Sequence, residues 1–490
     1  MNLDIDIVIM AAGKGTRMKS KLPKVLHKLA GRALLGHVLS TAAQLQPRRV
    51  ILITGHGAMQ VIAFSADFMP ANGSFSLKTV TQEPQLGTGH AVQQAVPELG
   101  EDGIALILSG DVPLTQANTL QALIAQCAGQ QIALLTLELA NPTGYGRIVR
   151  SEIGAGDFVQ AIVEQKDASE ATRKITEIYS GIMAAPTAKL RKYLALLDDK
   201  NAQKEFYLTD VVKHAVADGT RVTALKITDE PQVAGINSPA QLQELEREYQ
   251  KRAAYRFMEQ GVRIADAARF DLRGELTCGQ DVSIDVGCVF EGSVSLADDV
   301  RIGAHCVIAN CTIGAGAVIH PFTHIDGGQA VGSHPNGGQA VGSHTNGGKQ
   351  GASVGAGAAI GPFARLRPGA MLAEDVHIGN FVEVKNATMA KGSKANHLAY
   401  LGDATVGERV NFGAGSITAN YDGANKHRTV IEADVHVGSN CVLVAPVKIG
   451  AGGTIGGGST ITKDTPAGAL SVARGKQTSI ENWQRPGKKS

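Results

Sequence analysis

A glycine-rich segment near the amino terminus carries cations at a spacing suited to phosphate binding. The segment 10–18, MAAGKGTRM, directly follows a run of aliphatic residues, and Lys24 comes shortly after it. Small residues let backbone N–H groups approach a phosphate closely, and Lys14, Arg17 and Lys24 add positive charge there. The spacing differs from a Walker A loop, and Met18 stands where the dinucleotide fingerprint needs its third glycine. We therefore predict a phosphate site of another kind.

An acidic residue follows a second aliphatic run. Residues 104–108 lead into Ser109-Gly110-Asp111. A carboxylate at the exit of a buried strand can hold Mg²⁺ against phosphate oxygens. The same aspartate could instead cap the next helix. The turn 85–90, QLGTGH, suits contact with a base or ribose but is not specific for either.

A further group of polar residues lies where a regular repeat in the second half is interrupted. Cations occur in 365–368 and 381–385, and the segments 391–400, KGSKANHLAY, and 420–423, NYDG, break the repeat. Such breaks are expected to push loops outward, where sites form. His397 is a candidate general base, because imidazole can accept the proton leaving an attacking amine. Taken singly, a histidine beside a break in a repeat is more often structural.

The first half of the chain alternates aliphatic runs with helical stretches. Helical stretches lie at 34–45 and 89–96. Unbroken aliphatic runs, which suit strands buried on both faces of a parallel sheet, occur at 5–10, 50–54, 104–108 and 132–137. This order predicts an open α/β domain over 1–237, with ligands beyond the carboxyl ends of the strands.

A helix of roughly twenty residues is predicted to join the two halves, over 238–261. Ser238 suits the N-cap, Pro239 the first helical position, and Gln241 the third position of a capping box. Gly261 is expected to end the helix. Apolar residues recur at helical spacing between them at Leu242, Leu245, Tyr249 and Ala253.

The second half, 262–490, differs from the first in its glycine content and in the spacing of its apolar residues. Of the 58 glycines, 20 lie in 1–250 and 38 in 251–490. Aliphatic or aromatic residues fall at every sixth position over long stretches, as at 284–308, 354–384 and 431–461. A three-sided parallel β-helix has this period, and a helix or an ordinary strand does not. Small residues are expected at its corners.

Residues 326–352 contain a ten-residue repeat, GGQAVGSHPN followed by GGQAVGSHTN. Its only sizeable apolar residues are Val331 and Val341, too few to offset the entropy of ordering the segment. We predict a polar loop without a catalytic role. A metal site at His334 and His344 is the less favoured alternative.

Bulk composition excludes several classes of partner. The formal net charge is +2, too small to argue for a nucleic-acid or membrane partner. No apolar run approaches the ~18 residues needed to span a bilayer, and the amino terminus lacks the basic start of a signal peptide. The six cysteines have no zinc-ligand spacing and suit a reducing compartment. We predict a cytoplasmic protein.

Taken together, these motifs resemble a known family. MAAGKGTRM and LPKVLH are similar to the signature of the sugar-nucleotide pyrophosphorylases. With QEPQLGTGHA, SGDVPL, NPTGYGRI, VEQKDA, EFYLTD and AGINS, the sequence closely resembles the bifunctional N-acetylglucosamine-1-phosphate uridyltransferases/glucosamine-1-phosphate acetyltransferases, from about residue 5 to about 485. The resemblance implies a Rossmann-like nucleotidyltransferase domain and a left-handed parallel β-helix of hexapeptide repeats. It also implies a homotrimer whose acetyl sites are shared between neighbouring coils.

The resemblance implies two reactions. Acetyl-CoA would acetylate glucosamine-1-phosphate, and N-acetylglucosamine-1-phosphate would then attack the α-phosphorus of UTP and release pyrophosphate. The product, UDP-N-acetylglucosamine, supplies peptidoglycan and lipopolysaccharide synthesis. A phosphate nucleophile is already ionised, so the second reaction would rest on positioning and on charge neutralisation with Mg²⁺.

In the first domain, the resemblance implies that Arg17 and Lys24 supply the positive charges for catalysis. It also implies that Asp111 and Asn237 bind Mg²⁺. Where the family usually has Asn-Thr-Gly, this chain has Tyr179-Ser180-Gly181, and we assign Tyr179 no role. Gly146 and Glu164 would contact the sugar ring. The nucleotide contacts would be made by Met10, Ala11, Ala12, Gly13, Gln82, Gly87, Thr88, Ser109 and Gly110.

In the second domain, the resemblance makes His397 the general base, oriented by Glu383. Arg367, Lys385 and Tyr400 would clamp the sugar phosphate. Contacts to the sugar, the acetyl group and acetyl-CoA would be made by Asn411, Ala414, Asn420, Tyr421, Ser439, Gly457 and Arg474. Gly457 replaces an alanine of a relative, a change that a main-chain contact tolerates. The basic end, 485–489, could lie near the CoA phosphates or be a solvated tail.

Two other functions remain open from the sequence. One is a single-activity nucleotidyltransferase whose β-helix only oligomerises or regulates. The other is a non-enzymatic scaffold with a degenerate first domain. The cluster around His397 argues against the first alternative, and the cluster around Asp111 argues against the second.

Overall fold

The computed structural model describes residues 4–68, 75–151, 158–328 and 351–486. Described residues up to Tyr249 form one compact unit, and those from Gln250 onward form a second. The division falls inside the helix Pro239–Glu259, and the domain boundaries at 237 and 262 stay a prediction. The two histidines of the repeated segment, His334 and His344, lie outside the described residues.

The first unit is built on a nine-stranded, mixed sheet. Glu177–Pro186 runs antiparallel to both of its neighbours. Two further strands, Arg147–Arg150 and Val159–Val163, extend the sheet beside it. Apart from these two, the strands follow one another across the sheet in the order Val222–Ile227, Ile132–Glu138, Glu177–Pro186, Ile104–Ser109, Ile5–Met10, Arg49–Thr54 and Ser76–Thr81. The four strands predicted from aliphatic runs are all present.

The central strands are buried on both faces, as unbroken aliphatic runs predict. In Ile5–Met10, Ile7 and Ile9 belong to one buried cluster, and Val8 belongs to another. The unit's α-helices are Leu34–Gln44, Ala58–Ala66, Thr88–Ala95, Ala117–Cys127, Glu170–Arg173, Thr187–Leu194 and Asp210–Ala217. Shorter elements are the 3₁₀ segments Thr16–Met18, Lys24–Leu26, Val96–Glu98 and Glu230–Gln232 and the strands Lys28–Leu29 and Arg32–Ala33. This is the predicted α/β domain.

The helix Pro239–Glu259 begins as its sequence predicts, with one difference. Ser238 Oγ accepts a hydrogen bond from the N–H of Gln241 at 3.3 Å, so Ser238 caps the helix. The carboxamide of Gln241 accepts the N–H of Asn237 at 2.9 Å, whereas a capping box would use the N–H of Ser238 itself. The first turn of this helix therefore holds the backbone of Asn237.

The second unit is a parallel β-helix with three faces, as the six-residue period predicts. Its first face is an 11-stranded sheet of Arg263–Ile264, Ser283–Ile284, Arg301–Ile302, Val318–Ile319, Ala359–Ile360, His377–Asn380, Lys394–His397, Asn411–Phe412, His436–Val437, Thr454–Ile455 and Leu470–Ser471. The 3₁₀ segment Ala267–Arg269 lies near its start.

The second and third faces share three long strands, Phe270–Cys278, Cys288–Leu296 and Val307–Ile313. The second face continues through His324–Asp326, Arg365–Leu366, Glu383–Lys385, Tyr400–Gly402, Ile417–Ala419, Val442–Val444 and Thr460–Ile461. The third continues through Ala352–Val354, Met371–Leu372, Thr388–Met389, Ala404–Val406, Thr429–Ile431 and Val447–Ile449.

The repeated aliphatic residues fill the interior of the β-helix, and Phe290, Leu366 and Leu443 are fully buried examples. Glycines with positive φ, such as Gly316 and Gly357, form some of its corners as predicted, but other corners carry large residues. Phe322 and Phe363 occupy corners with φ of 60° and 55°. Their rings stack at a centroid distance of 5.0 Å, so each large corner residue gains a packing partner in the next coil.

The two predicted interruptions behave differently. Contrary to expectation, 391–400 does not leave the coil, because Lys394–His397 and Tyr400–Gly402 are strands and Ala395 and Leu401 are buried. Met389, Ala395 and Leu401 keep the six-residue interior spacing through this segment, and the spacing shortens to five residues only on either side of it, at 384–389 and 401–406. Residues 420–428, between the strands of the second and third faces, do leave the coil as a loop.

The cysteines are free thiols, and all except Cys278 are buried. This agrees with their interpretation as small core residues. Among the described ranges, no helix is both long and apolar enough to cross a bilayer.

Candidate active sites

Two neighbouring strands of the first unit end together at the predicted phosphate segment. Met10 pairs with Ser109 in adjacent parallel strands. The N–H of Gly110 donates to the carbonyl of Met10 at 2.9 Å. The glycine-rich loop and the segment carrying Asp111 therefore leave the sheet at the same edge.

Lys24, Asp111 and Asn237 meet at this edge. Lys24 Nζ lies 2.5 Å from Asp111 Oδ2 and 3.0 Å from Asn237 Oδ1. The Lys24 and Asp111 side chains are only 13% and 17% exposed. The N–H of Ile236 donates to the carbonyl of Asp111 at 3.0 Å and ties the two loops together. Segments far apart in sequence thus place two oxygens around one cationic nitrogen.

This donor set suits a magnesium ion bound together with phosphate. Mg²⁺ typically takes one or two carboxylate ligands and completes its shell with water and substrate phosphates. Asp111 and Asn237 offer two oxygens that already converge on a positive charge. Within the described residues, no group of three or more His, Cys, Asp or Glu could hold a metal alone.

The glycine-rich loop brings Lys24 into position through Gly15. Gly15 has a φ of 59°, and a Cβ built there would lie 2.7 Å from Lys24 Cβ. Only glycine satisfies both the left-handed backbone and this close approach. Arg17 lies on the short 3₁₀ segment that follows and is exposed. Of the predicted cations, Lys24 alone is held against Asp111.

The predicted base-binding residues are tied to the segment 205–208. Gln82 is buried, and its Nε2 donates to the carbonyl of Gly87 at 2.9 Å. Thr88 Oγ1 accepts the N–H of Leu208 at 3.1 Å. Gly87 has a φ of 111°, and a Cβ there would lie 2.6 Å from the carbonyl oxygen of Phe206. The motif EFYLTD therefore supports the turn that carries Gly87 and Thr88.

The predicted sugar contacts, Gly146 and Glu164, also lie together. A Cβ built at Gly146 would be 3.7 Å from each carboxylate oxygen of Glu164. Thr209 Oγ1 donates to Glu164 Oε1 at 3.1 Å. Burial raises the pKa of Glu164, and the bond from Thr209 partly offsets this. The carboxyl of Glu164 therefore ionises at a higher pH than an ordinary glutamate.

In the second unit, a group of cations lies beside Glu383. Arg367 Nη1 donates to Glu383 Oε1 at 2.7 Å. The pKa of Lys385 is lowered, first by burial and then by the charges of Lys426 and Arg367. Lys426 was absent from the predicted site, and its only signal in the sequence is its place in the loop that breaks the repeat. Three positive charges thus gather where a phosphate could bind.

Asp422 fixes the loop that carries Lys426. Its carboxylate accepts the N–H groups of Ala424 and Asn425 at 2.8 and 2.6 Å, and His427 Nε2 lies 2.7 Å away. These bonds hold the pKa of Asp422 well below its usual range, with the N–H of Asn425 the largest cause. The loop is therefore braced by local contacts.

The predicted residues Tyr400, Asn420 and Tyr421 lie close to the same loop. Asn420 is buried, and its Nδ2 donates to Asp403 Oδ2. The ring of Tyr400 covers Gly402, where a Cβ would lie 2.3 Å from the tyrosine oxygen, so glycine is required. Burial raises the pKa of Tyr400, and a hydrogen bond with Asn420 partly offsets it. Tyr421 is 62% exposed and donates to the carbonyl of residue 423 at 2.6 Å.

His397 is held by a residue that the prediction missed. Its Nδ1 lies 3.0 Å from Asn380 Oδ1. Within one chain the carboxylate of Glu383 pairs with Arg367 and not with His397, so the orientation of His397 by Glu383 stays a prediction. With Oδ1 of Asn380 as the acceptor, His397 carries its proton on Nδ1 and presents Nε2 as a base.

The general-base candidate and the cations lie on different faces of the chain. His397 ends a strand of the first face, and Glu383–Lys385 belongs to the second. Leu398, with a φ of 48°, turns the corner between them. A corner of the β-helix therefore stands between His397 and the cations of its own chain.

The predicted acetyl-CoA residues lie on successive turns of the coil. The N–H of Asn440 donates to the carbonyl of Ala414 at 2.8 Å, and the N–H of Gly458 donates to that of Ser439 at 2.8 Å. Arg474 Nη1 donates to the carbonyl of Gly457 at 2.8 Å. Asn411 is exposed and pairs in register with Lys394 of the strand containing His397. These residues therefore lie on neighbouring coils, and their contacts with the sugar and acetyl-CoA stay predictions.

Two family descriptions match the chain. The MobA-like NTP transferase domain matches residues 7–264, which is more than half of the sequence. The bacterial transferase hexapeptide (six repeats) matches residues 428–463. These matches confirm a nucleotidyltransferase domain followed by a hexapeptide-repeat transferase region.

Full-length relatives support both parts. A protein of Polaromonas naphthalenivorans is 70% identical over 485 residues, covering 99% of this chain and 98% of the relative. One of Albidiferax ferrireducens is 67% identical, covering 99% and 100%, and one of Janthinobacterium is 55% identical, covering 98% and 99%. Each is named "Bifunctional protein GlmU". Similarity of this extent confirms the predicted two-activity enzyme, and this chain belongs to the family of bifunctional GlmU proteins.

Proposed function

We propose that the second unit acetylates glucosamine-1-phosphate with acetyl-CoA, and that the first unit transfers uridylyl from UTP to N-acetylglucosamine-1-phosphate. The observation that carries the proposal is the convergence of Asp111 and Asn237 on Lys24 at the carboxyl edge of the sheet. The cation cluster and His397 of the β-helix supply the groups that the acetyl transfer needs. Family membership supports the pairing of the two activities in one chain.

Uridylyl transfer requires a nucleotide and a sugar phosphate held in line. The backbone of 10–13 and the side chains of Gln82 and Thr88 would bind the nucleotide, with Ser109 and Gly110 beside it. Glu164 and Gly146 would orient the sugar. Its phosphate oxygen attacks the α-phosphorus, the bond to the bridging oxygen breaks, and pyrophosphate leaves.

Charge neutralisation is the main task of the protein in this reaction. Arg17 and Lys24 would balance the negative charge on the phosphates. Asp111 and Asn237 would hold Mg²⁺, which when bound adds positive charge beside the phosphate oxygens. The nucleophile is already ionised, so none of these residues has to remove a proton.

Acetyl transfer requires a base for the attacking amine. The sugar nitrogen attacks the thioester carbonyl, a C–N bond forms, and the C–S bond breaks. Nε2 of His397 accepts the proton from nitrogen and can return it to the departing thiolate of CoA. Asn380 keeps the proton of the imidazole on Nδ1, so Nε2 stays free to act.

We further propose a homotrimer in which neighbouring coils share each acetyl site. The support is the corner at Leu398, which separates His397 from Arg367 and Lys385 within one chain. A neighbouring subunit that brings its cations to the first face would complete the site. We also propose a cytoplasmic location, where these phosphorylated substrates occur and where free thiols persist, and a role in supplying peptidoglycan and lipopolysaccharide precursors.

An omission experiment tests the proposed function. The purified protein is given glucosamine-1-phosphate, acetyl-CoA, UTP and Mg²⁺, and each component is left out in turn while free thiol, pyrophosphate and nucleotide sugar are measured. The proposal predicts thiol release without UTP, and pyrophosphate only when all four are present. Pyrophosphate formation from supplied N-acetylglucosamine-1-phosphate without any acetyl transfer would favour a single-activity enzyme. The absence of both reactions would favour a scaffold.

A further inference from the structure

The carbonyl of Ala12, in the glycine-rich loop, accepts two hydrogen bonds from outside the loop. The N–H of His56 donates to this oxygen at 3.3 Å. The side-chain Nε2 of Gln85 donates to the same oxygen. A carbonyl oxygen has two lone pairs, and both are engaged within the protein here. Ala12 therefore offers no free acceptor to a ligand.

The N–H groups of the same loop are left open. Those of Ala12, Gly13 and Lys14 donate to no main-chain oxygen in the part of the chain that the structure describes. Ala12 is only 6% exposed, and buried N–H groups nearly always have a partner. Open space lies beside Gly13, because no atom outside the neighbouring residues would come within 4 Å of a Cβ built there. Successive free N–H groups beside open space suit the binding of anionic oxygens.

Gln85 reaches the loop because Gly55 leaves room for it. A Cβ built at Gly55 would lie 2.6 Å from Gln85 Nε2 and 2.9 Å from the carbonyl oxygen of Ala12. Both atoms of the hydrogen bond therefore occupy space that any other residue at this position would fill. Gln85 also begins the turn whose later members, Gly87 and Thr88, are the predicted base contacts. One side chain thus connects the two segments that are expected to bind the nucleotide.

The carbonyl of Ala12 and the N–H of Gly13 belong to one peptide group. In a planar trans peptide these two bonds point in opposite directions. Holding the oxygen toward Gln85 therefore holds the N–H of Gly13 on the side away from Gln85. A peptide that precedes glycine reverses easily, because glycine also accepts conformations with positive φ. The bond from Gln85 opposes that reversal.

We propose that Gln85 is a positioning residue of the uridylyl site, which keeps the carbonyl of Ala12 turned away from the nucleoside triphosphate and the N–H of Gly13 turned toward it. This inference rests on the proposed uridylyl transfer. Gln85 acts through the main chain of the loop, without contact to the substrate. If the peptide reversed, a carbonyl oxygen would face the nucleotide where a donor is needed, and binding would weaken.

The test compares three variants of the complete protein. Gln85→Ala removes the donor, and Gln85→Glu replaces it with a carboxylate that accepts instead. Gln93→Ala is the matched control, because Nε2 of Gln93 also donates to a carbonyl far away in sequence, that of Leu194 at 2.7 Å. The kcat and the KM values for UTP and N-acetylglucosamine-1-phosphate are measured for each variant, together with the rate of acetyl transfer and the Tm.

We expect Gln85→Ala to raise the KM for UTP about fivefold, the effect of one lost hydrogen bond. Gln85→Glu should raise it further, because its carboxylate repels the carbonyl of Ala12 and can accept the N–H of Gly13 from the reversed peptide. The kcat, the KM for the sugar phosphate and the rate of acetyl transfer should stay within about twofold of wild type, since the bond acts on nucleotide binding. Gln93→Ala should lower the Tm and leave both KM values unchanged.

A purely structural role for Gln85 would lower the Tm of Gln85→Ala and leave its KM for UTP unchanged, and this result would overturn the inference. An equal rise in the KM values for both substrates would also overturn it. Wild-type protein that forms no pyrophosphate from UTP and N-acetylglucosamine-1-phosphate would instead reject the proposed function itself.

Discussion

The ammonium of Lys24 and the carboxylate of Asp111 meet at 2.5 Å, and Asn237 accepts from the same ammonium at 3.0 Å. The lysine thus occupies the position on which both predicted metal-binding oxygens converge. Phosphate of the nucleotide would be a further partner for its positive charge.

The pairing predicts opposite effects of two substitutions on Mg²⁺ binding. Asp111→Asn and Lys24→Met should each reduce uridylyl transfer about a hundredfold or more, because Lys24→Met removes a positive charge that balances the phosphates and Asp111→Asn weakens the binding of the Mg²⁺ that also balances them. Lys24→Met should also enlarge the rise in Tm that Mg²⁺ causes without nucleotide, because the ammonium no longer competes for Asp111. Asp111→Asn should lose that rise. Thermal unfolding with and without Mg²⁺ measures both.

The control for this pair is Asp67→Asn, which alters an exposed aspartate of the same unit. It should change neither the rate nor the response to Mg²⁺. A Mg²⁺ response that is smaller in Lys24→Met than in wild type would contradict competition between Lys24 and the metal.

Gln241 is expected to position Asn237 from the first turn of the joining helix. Its carboxamide accepts the N–H of Asn237. Gln241→Ala should raise the Mg²⁺ concentration needed for half-maximal uridylyl transfer about two- to tenfold, the effect of one lost hydrogen bond. Gln241→Glu keeps an acceptor and should restore most of the activity, whereas the exposed neighbour Gln243→Ala should have no effect. Equal Mg²⁺ requirements in all three variants would show that Gln241 does not position Asn237 for metal binding.

Asn380 is expected to set the tautomer of His397. Asn380→Ala should lower the kcat of acetyl transfer about tenfold with little change in KM, because Nδ1 loses its acceptor. Asn380→Asp places a carboxylate there and should raise the pKa of His397. The acid limb of the pH–rate profile should then move to higher pH, since the base must be neutral to act. Uridylyl transfer is the internal control, and an acid limb that stays in place would refute the contact.

Lys426 is expected to control the ionisation of Lys385. The pKa of Lys385 is lowered by burial and then by Lys426, so its charge is lost at a lower pH than that of an ordinary lysine. Lys426→Met should raise that pKa and move the alkaline fall in kcat/KM for glucosamine-1-phosphate to higher pH. At neutral pH the KM should rise, because one phosphate partner is gone. Lys391→Met, which breaks an exposed pair with Glu374, should do neither. A shift to lower pH would contradict the coupling.

Repeating local patterns made the fold predictable from the sequence. Unbroken aliphatic runs located the buried strands, and the six-residue period located the interior of the β-helix. The segment 391–400 was harder, because its interior position is filled by the small residue Ala395, so the sequence looks interrupted although the coil continues. Large residues such as Phe322 take corners because their rings stack between coils.

The sites were only partly predictable from the sequence, because their contacts join residues that are far apart along the chain. Family resemblance located Lys24 and Asp111, but their direct contact joins residues 87 positions apart. The roles of Asn380 and Lys426 depend on which residues adjacent coils place side by side, and no local pattern contains that register. Gln85 could be assigned only to an unspecific turn, and its contact with Ala12 became visible in the fold.

The central claim is that one chain holds two independent catalytic centres, and two variants test it directly. Asp111→Asn and His397→Ala are each supplied with glucosamine-1-phosphate, acetyl-CoA, UTP and Mg²⁺. Asp111→Asn should release CoA and accumulate N-acetylglucosamine-1-phosphate without pyrophosphate. His397→Ala should form pyrophosphate only when N-acetylglucosamine-1-phosphate is added, and mixing the two variants should restore UDP-N-acetylglucosamine. Near-normal acetyl transfer by His397→Ala, or pyrophosphate from Asp111→Asn at the wild-type rate, would contradict the account.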